Sequence, residues 1–60
     1  MNEWDSTRIK ALRKDLGLTQ LELAQRLKVS VDTLRSYEHN HRRPSLPVQR
    51  RLNRQALKVT

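Results

Sequence analysis

Sixty residues, thirteen of them Lys or Arg against six Asp or Glu, make a short chain with a formal net charge of +7. A chain this small buries only about 60% of the surface its unfolded form exposes, so it supports one modest core and no large catalytic cleft. Cysteine is absent, which excludes disulfide frameworks and thiolate metal sites, and no apolar run approaches the ~20 residues that span a bilayer. The first element runs from Trp4 and Asp5 through Leu16, with Ile9, Leu12 and Leu16 on one helical face. Asp5 suits its N-cap; Trp4 then precedes the cap and Ile9 sits at the fourth helical position, the arrangement of a hydrophobic staple. Gly17 ends this helix in a left-handed conformation.

Thr19 followed by Glu22 is a T-x-x-E capping box and predicts a second helix from Gln20 to about Leu27, burying Leu23, Ala24 and Leu27. Lys28, Val29 and Ser30 break the pattern. Ser30 caps a third helix from Val31 to about Glu38, with Leu34 as its inward anchor, and Asn40 closes it at positive φ. Residues 41–45 form a basic loop containing Pro44. In a fourth helix Ser45 is the cap, Pro47 is tolerated in the first turn, and Val48, Leu52 and Ala56 form a stripe among Arg50, Arg51 and Arg54. The last few residues are expected to fray. No repeat, low-complexity tract or linker interrupts the chain, so residues 1–60 read as one all-α domain.

Charge is unevenly spread. Residues 1–38 carry seven basic and six acidic side chains, whereas residues 39–60 carry six basic ones (Arg42, Arg43, Arg50, Arg51, Arg54, Lys58) and no acid. A field of one sign draws polyanions, chiefly nucleic acid or an anionic membrane surface, unless it is merely a solvated tail. The fourth helix lacks the Trp or Phe that would anchor it in a membrane interface, and its apolar face is narrow. The acidic start at Glu3 and Asp5 lacks the basic opening of a secretory signal, and the expectation is a soluble, cytoplasmic protein.

The second and third helices, joined by about three residues, have the spacing of a helix-turn-helix over residues 19–38. Such a pair suits DNA because a helix fits the major groove, where each base pair displays its own donors, acceptors and methyls. The spacing also occurs in proteins that never touch DNA.

The run Leu16-Gly17-Leu18-Thr19-Gln20-Leu21-Glu22-Leu23-Ala24-Gln25-Arg26-Leu27, then Val29-Ser30, Tyr37-Glu38 and Arg42-Arg43-Pro44, resembles the phage repressor and Cro (XRE-type) helix-turn-helix family over about residues 8 to 55. Within that family, residues 29–34 and 42–45 look most like DNA-binding antitoxins of the HigA type. The resemblance implies a compact four- to five-helix lambda-repressor-like domain that binds a double-stranded DNA operator, normally as a homodimer on two half-sites about 34 Å apart.

It also implies residue roles. Val31, Asp32, Arg35 and Ser36 occupy base-reading positions, and residues 32, 35 and 36 share one face opposite Leu34. Arg35 suits guanine O6 and N7, Val31 a thymine methyl, and Asp32 either cytosine N4 or the orienting of Arg35. Thr19 and Gln20 at the second helix start, Thr33, and His39, Arg42 and Arg43 beyond the reader are placed for phosphate. Arg13 and Glu38 match a structural ion pair of the family. Lys28 and Asn40 stand where the family usually has glycine; Lys at positive φ costs about 1 kcal/mol unless the turn differs.

The function expected is that of a sequence-specific transcriptional regulator, most simply a repressor. An antitoxin that also binds a toxin, and an adaptor that docks a protein on Arg50, Arg51 and Arg54, stay open. No nucleophile-base pair or phosphate-cradling Gly-rich loop supports an enzyme, and none is expected. The His39-x-His41 pair has no third or fourth His or Cys to complete a zinc site, so neither metal nor cofactor is expected.

Overall fold

A computed structural model describes residues 4–58. Four α-helices follow one another: α1 (Ser6–Asp15), α2 (Gln20–Leu27), α3 (Val31–Glu38) and α4 (Leu46–Ala56). The apolar stripes of all four converge on a core of Trp4, Ile9, Leu12, Leu23, Ala24, Leu27, Leu34, Tyr37, Val48 and Leu52. Leu16, Leu18, Val29, Val31 and Ala56 pack half-buried around it. Ile9, Leu23, Leu27, Leu34 and Leu52 are fully enclosed, so truncating any of them to Ala costs about 2–5 kcal/mol.

The helix starts follow the local chemistry. Asp5 accepts from the Arg8 N–H at 2.8 Å. Thr19 and Glu22 close both halves of the capping box, with Thr19 N–H to Glu22 Oε1 at 2.9 Å and Glu22 N–H to Thr19 Oγ1 at 3.1 Å. Ser30 accepts from Thr33 N–H at 3.1 Å. Ser45 departs from expectation: it sits at the N-cap of α4 in extended backbone but makes no side-chain cap bond. Pro47 fills the second helical position and has no N–H to offer, which removes one of the two donors a cap can engage.

Three helices end the same way. After α1, Gly17 N–H donates to Lys14 O and Leu18 N–H to Arg13 O; after α2, Lys28 donates to Gln25 O and Val29 to Ala24 O; after α3, Asn40 donates to Tyr37 O and His41 to Ser36 O. Each is a Schellman motif, whose pivot residue must take the left-handed conformation. The pivots are Gly17, Lys28 and Asn40, at φ 68°, 59° and 61°. Lys28 therefore accepts the strain rather than altering the turn.

Long-range polar contacts lock the frame. Trp4 Nε1 donates to Asn53 Oδ1 at 2.8 Å, fastening the start of α1 to α4, and the Arg8 guanidinium lies over the Trp4 ring, 4.5 Å from its centroid. Arg51 donates to the Leu27 carbonyl at 3.2 Å, and Arg26 to Gln55 Oε1 at 3.3 Å, so α4 is stitched to α2. The expected fraying of the final residues concerns Val59 and Thr60, outside the described residues. No helix among the described residues is long and apolar enough to cross a membrane.

Candidate nucleic-acid interface

Leu34, fully buried, turns the opposite side of α3 outward, and there Asp32 and Arg35 are exposed and Ser36 half-exposed. Arg35 is braced from two sides. Its Nε donates to Gln20 Oε1 at 3.3 Å, and its Nη1 lies 3.8 Å from Asp32 Oδ1. Ser36 Oγ donates back to the Asp32 carbonyl at 3.1 Å, a bond within the helix turn. Val31 is half-buried and leans on the core, so only part of its surface faces out.

The bracing continues inward. Gln20 uses the other end of its amide to donate from Nε2 to Glu38 Oε1 at 3.3 Å. Arg13 meets the same carboxylate, Nε to Oε2 at 3.0 Å and Nη2 to Oε1 at 3.4 Å, and spends Nη1 on the Leu18 carbonyl at 3.2 Å. The Glu38 side chain is only 2% exposed and that of Arg13 20%, so the ion pair expected from the sequence is present and largely withdrawn from water. A chain of contacts thus runs from Asp32 through Arg35, Gln20 and Glu38 to Arg13, linking the outer edge of α3 to α2 and α1.

This bridging by Gln20 was not legible in the sequence, which suggested only the exposed start of α2. Thr19 and Thr33 are likewise occupied, Thr19 in its capping box and Thr33 with its hydroxyl 2.8 Å from Ser30 Oγ. His39 caps α3, exposed, with its ring centroid 6.1 Å from that of His41. Arg42 and Arg43 are exposed at the tip of a loop fixed at both ends. On one side His41 and Arg42 donate backbone N–H groups to Ser36 O; on the other Pro44 is buried and its carbonyl accepts from Gln49 Nε2 at 3.0 Å. Neither arginine has an ion-pair partner among the described residues, so their charge is directed at solvent.

The sequence left Arg50, Arg51 and Arg54 undivided; the structure separates them. Arg51 is half-buried and satisfies the terminal carbonyl of α2, while Arg50 and Arg54 stay exposed. Among the described residues no three His, Asp or Glu side chains group to hold a metal ion. A shallow cleft of about 180 Å³ between Trp4, Arg8, Ala11, Leu12, Asp15 and Ala56 is smaller than the ~300–1,000 Å³ of ordinary small-molecule pockets.

Two short helices around a three-residue turn, with the exposed edge of the second followed by a clamped basic loop, define a DNA-binding helix-turn-helix domain. A family model, HTH_3 (Helix-turn-helix), matches residues 9–54. The chain belongs to this XRE/Cro-type helix-turn-helix family of DNA-binding regulators. No curated protein and no solved structure gives a significant match.

Proposed function

We propose that the protein is a sequence-specific repressor that binds its operator as a homodimer, with α3 lying in the major groove. The observation that carries this reading is the state of Arg35. It is exposed, yet held by Gln20 and Asp32, so little of its rotamer freedom remains to be lost when it meets a base. With Nε on Gln20 and Nη1 near Asp32, the exposed guanidinium keeps N–H donors for the paired acceptors of guanine, a contact worth about 1–3 kcal/mol of discrimination. Asp32 acts in this arrangement as the orienting group for Arg35.

Phosphate contacts fall to Arg42, Arg43 and His39, and to the start of α2. There the capping box takes up the N–H groups of Thr19 and Glu22, and those of Gln20 and Leu21 point off the helix end toward an external acceptor. The side chains of Thr19, Gln20 and Thr33 serve mainly to shape this surface. The longest dimension of the domain is 27 Å. Two copies therefore fit side by side on half-sites about 34 Å apart on one face of the duplex.

Selection of bound sites from random duplex DNA tests the reading. We expect a two-fold symmetric consensus. Arg35→Ala then relaxes preference at one position in each half-site, whereas Arg43→Ala weakens all sequences alike and reduces the slope of log K against log salt by about one per domain. Recovery of no consensus would refute sequence-specific regulation.

A further inference from the structure

The outer face of α4 has a pattern that DNA binding does not use. At 100° per residue, Val48, Leu52 and Gln55 point into the protein, and Leu46, Arg50, Arg54 and Leu57 fall on the opposite side. Leu46 is 58% exposed and Leu57 74% exposed, two of the three large apolar side chains so exposed among the described residues. Between them Arg50 and Arg54 stand one turn apart, Lys58 follows in the turn beyond the helix, and none of the three has an ion pair among the described residues. Like charges at this spacing repel, and no acid occurs anywhere in residues 39–60 to relieve them.

A phosphate backbone accounts for the cations but not for the leucines, because it offers no apolar surface to cover them. A protein surface that is both acidic and apolar accounts for both. We infer that this face of α4 is a docking surface for an acidic amphipathic helix of a protein partner, with apolar side chains against Leu46 and Leu57 and carboxylates between them against Arg50 and Arg54. Leu46 and Leu57 are eleven residues apart, so the matching helix needs apolar residues about 16 Å apart, or three turns. The surface lies across the helix from the contacts that Arg51 and Gln55 make to α2.

The test uses a fluorescein-labelled synthetic helical peptide with two leucines eleven positions apart and glutamates on the same face between them, titrated with the full chain and followed by anisotropy. Three proteins are compared: the unaltered chain, Leu46→Ser, and Arg50→Gln with Arg54→Gln. Lys10→Gln with Lys14→Gln, two exposed positions on α1, matches the loss of charge. Expected are saturable binding by the unaltered chain and the α1 pair, about tenfold weakening by Leu46→Ser, and a larger loss in the α4 pair; tenfold corresponds to about 1.4 kcal/mol. Affinity for a selected DNA site, measured in parallel, reports folding and separates this inference from the DNA-binding reading. The inference is overturned if the peptide does not saturate, if Leu46→Ser binds it as well as the unaltered chain, or if the α4 pair loses no more affinity than the α1 pair. It also fails if the α4 pair weakens DNA binding more than the α1 pair does, since the face would then track phosphate.

Discussion

Replacing Lys28 by glycine should stabilise the protein, although it removes a side chain from the turn at the centre of the DNA-binding motif. Lys28 sits at φ 59° and ψ 42° as the pivot between α2 and Val29, and its backbone N–H, not its side chain, makes the cap bond to Gln25. Left-handed backbone costs an L-residue roughly 1–2 kcal/mol. Glycine avoids that strain but surrenders about 0.5–1 kcal/mol through its freer unfolded chain. The net gain is about 0–1.5 kcal/mol, and its midpoint raises Tm by about 3–6 °C for a domain near this size. Trp4, the single tryptophan and only 3% exposed, reports the transition by its fluorescence. Lys28→Ala is the control, since it removes the same charge and keeps the strain, and it should stay within about 0.5 kcal/mol of the parent. Gly17→Ala is the converse: a Cβ there meets nothing within 4 Å, so its loss of roughly 1 kcal/mol is conformational alone. If glycine and alanine at position 28 behave alike, backbone strain is not what the turn carries.

Arg13→Ala leaves the Glu38 carboxylate buried with Gln20 as its remaining side-chain partner and should cost about 3–5 kcal/mol. Against a total of about 3–9 kcal/mol expected for sixty residues, much of the population unfolds at 25 °C, as circular dichroism with urea titration will show. Gln20→Ala should leave Tm nearly unchanged while discrimination at the base read by Arg35 falls about two- to tenfold, the value of one net hydrogen bond; competition binding with single-base variants measures it, and unchanged discrimination would show that the bracing is idle. The Thr19 N–H, aided by the Thr19 hydroxyl and by the charge of Arg26, holds the Glu22 carboxyl below its ordinary pKa of 4.5. Because the folded value is the lower one, this contribution is present above about pH 4.5 and disappears as pH falls through the depressed value. Glu22→Gln should therefore flatten the dependence of Tm on pH in that acid range and leave it unaltered near neutrality.

Most of the fold was legible because its punctuation is local. Asp5, Ser30 and the Thr19 and Glu22 pair each cap a helix through atoms within three residues, and Gly17 and Asn40 close helices by their own conformational freedom. The Arg13 and Glu38 pair came from resemblance, since 25 residues separate the two and no periodicity connects them. What escaped was tertiary. The phase of α4 puts Arg51 on the flank of the apolar stripe and Arg50 and Arg54 beyond it, but nothing local shows that Arg51 reaches the end of α2 or that Trp4 meets Asn53. Gln20 escaped for a subtler reason: an amide at a helix start suits phosphate by chemistry alone, and only the approach of α3 shows both its ends taken. Ser45 erred in the other direction, a good cap residue two places before a proline that has no donor to give it.

One carboxylate serves two masters in this protein. Glu38 neutralises Arg13 at the heart of the scaffold and also anchors the amide that aims Arg35, so conformational robustness and choice of target cannot be adjusted separately through it. If α3 reads bases as proposed, a search for altered operators should vary residues 32, 35 and 36 and leave 13 and 38 untouched; libraries that randomise the latter will lose viable clones before they gain new preferences.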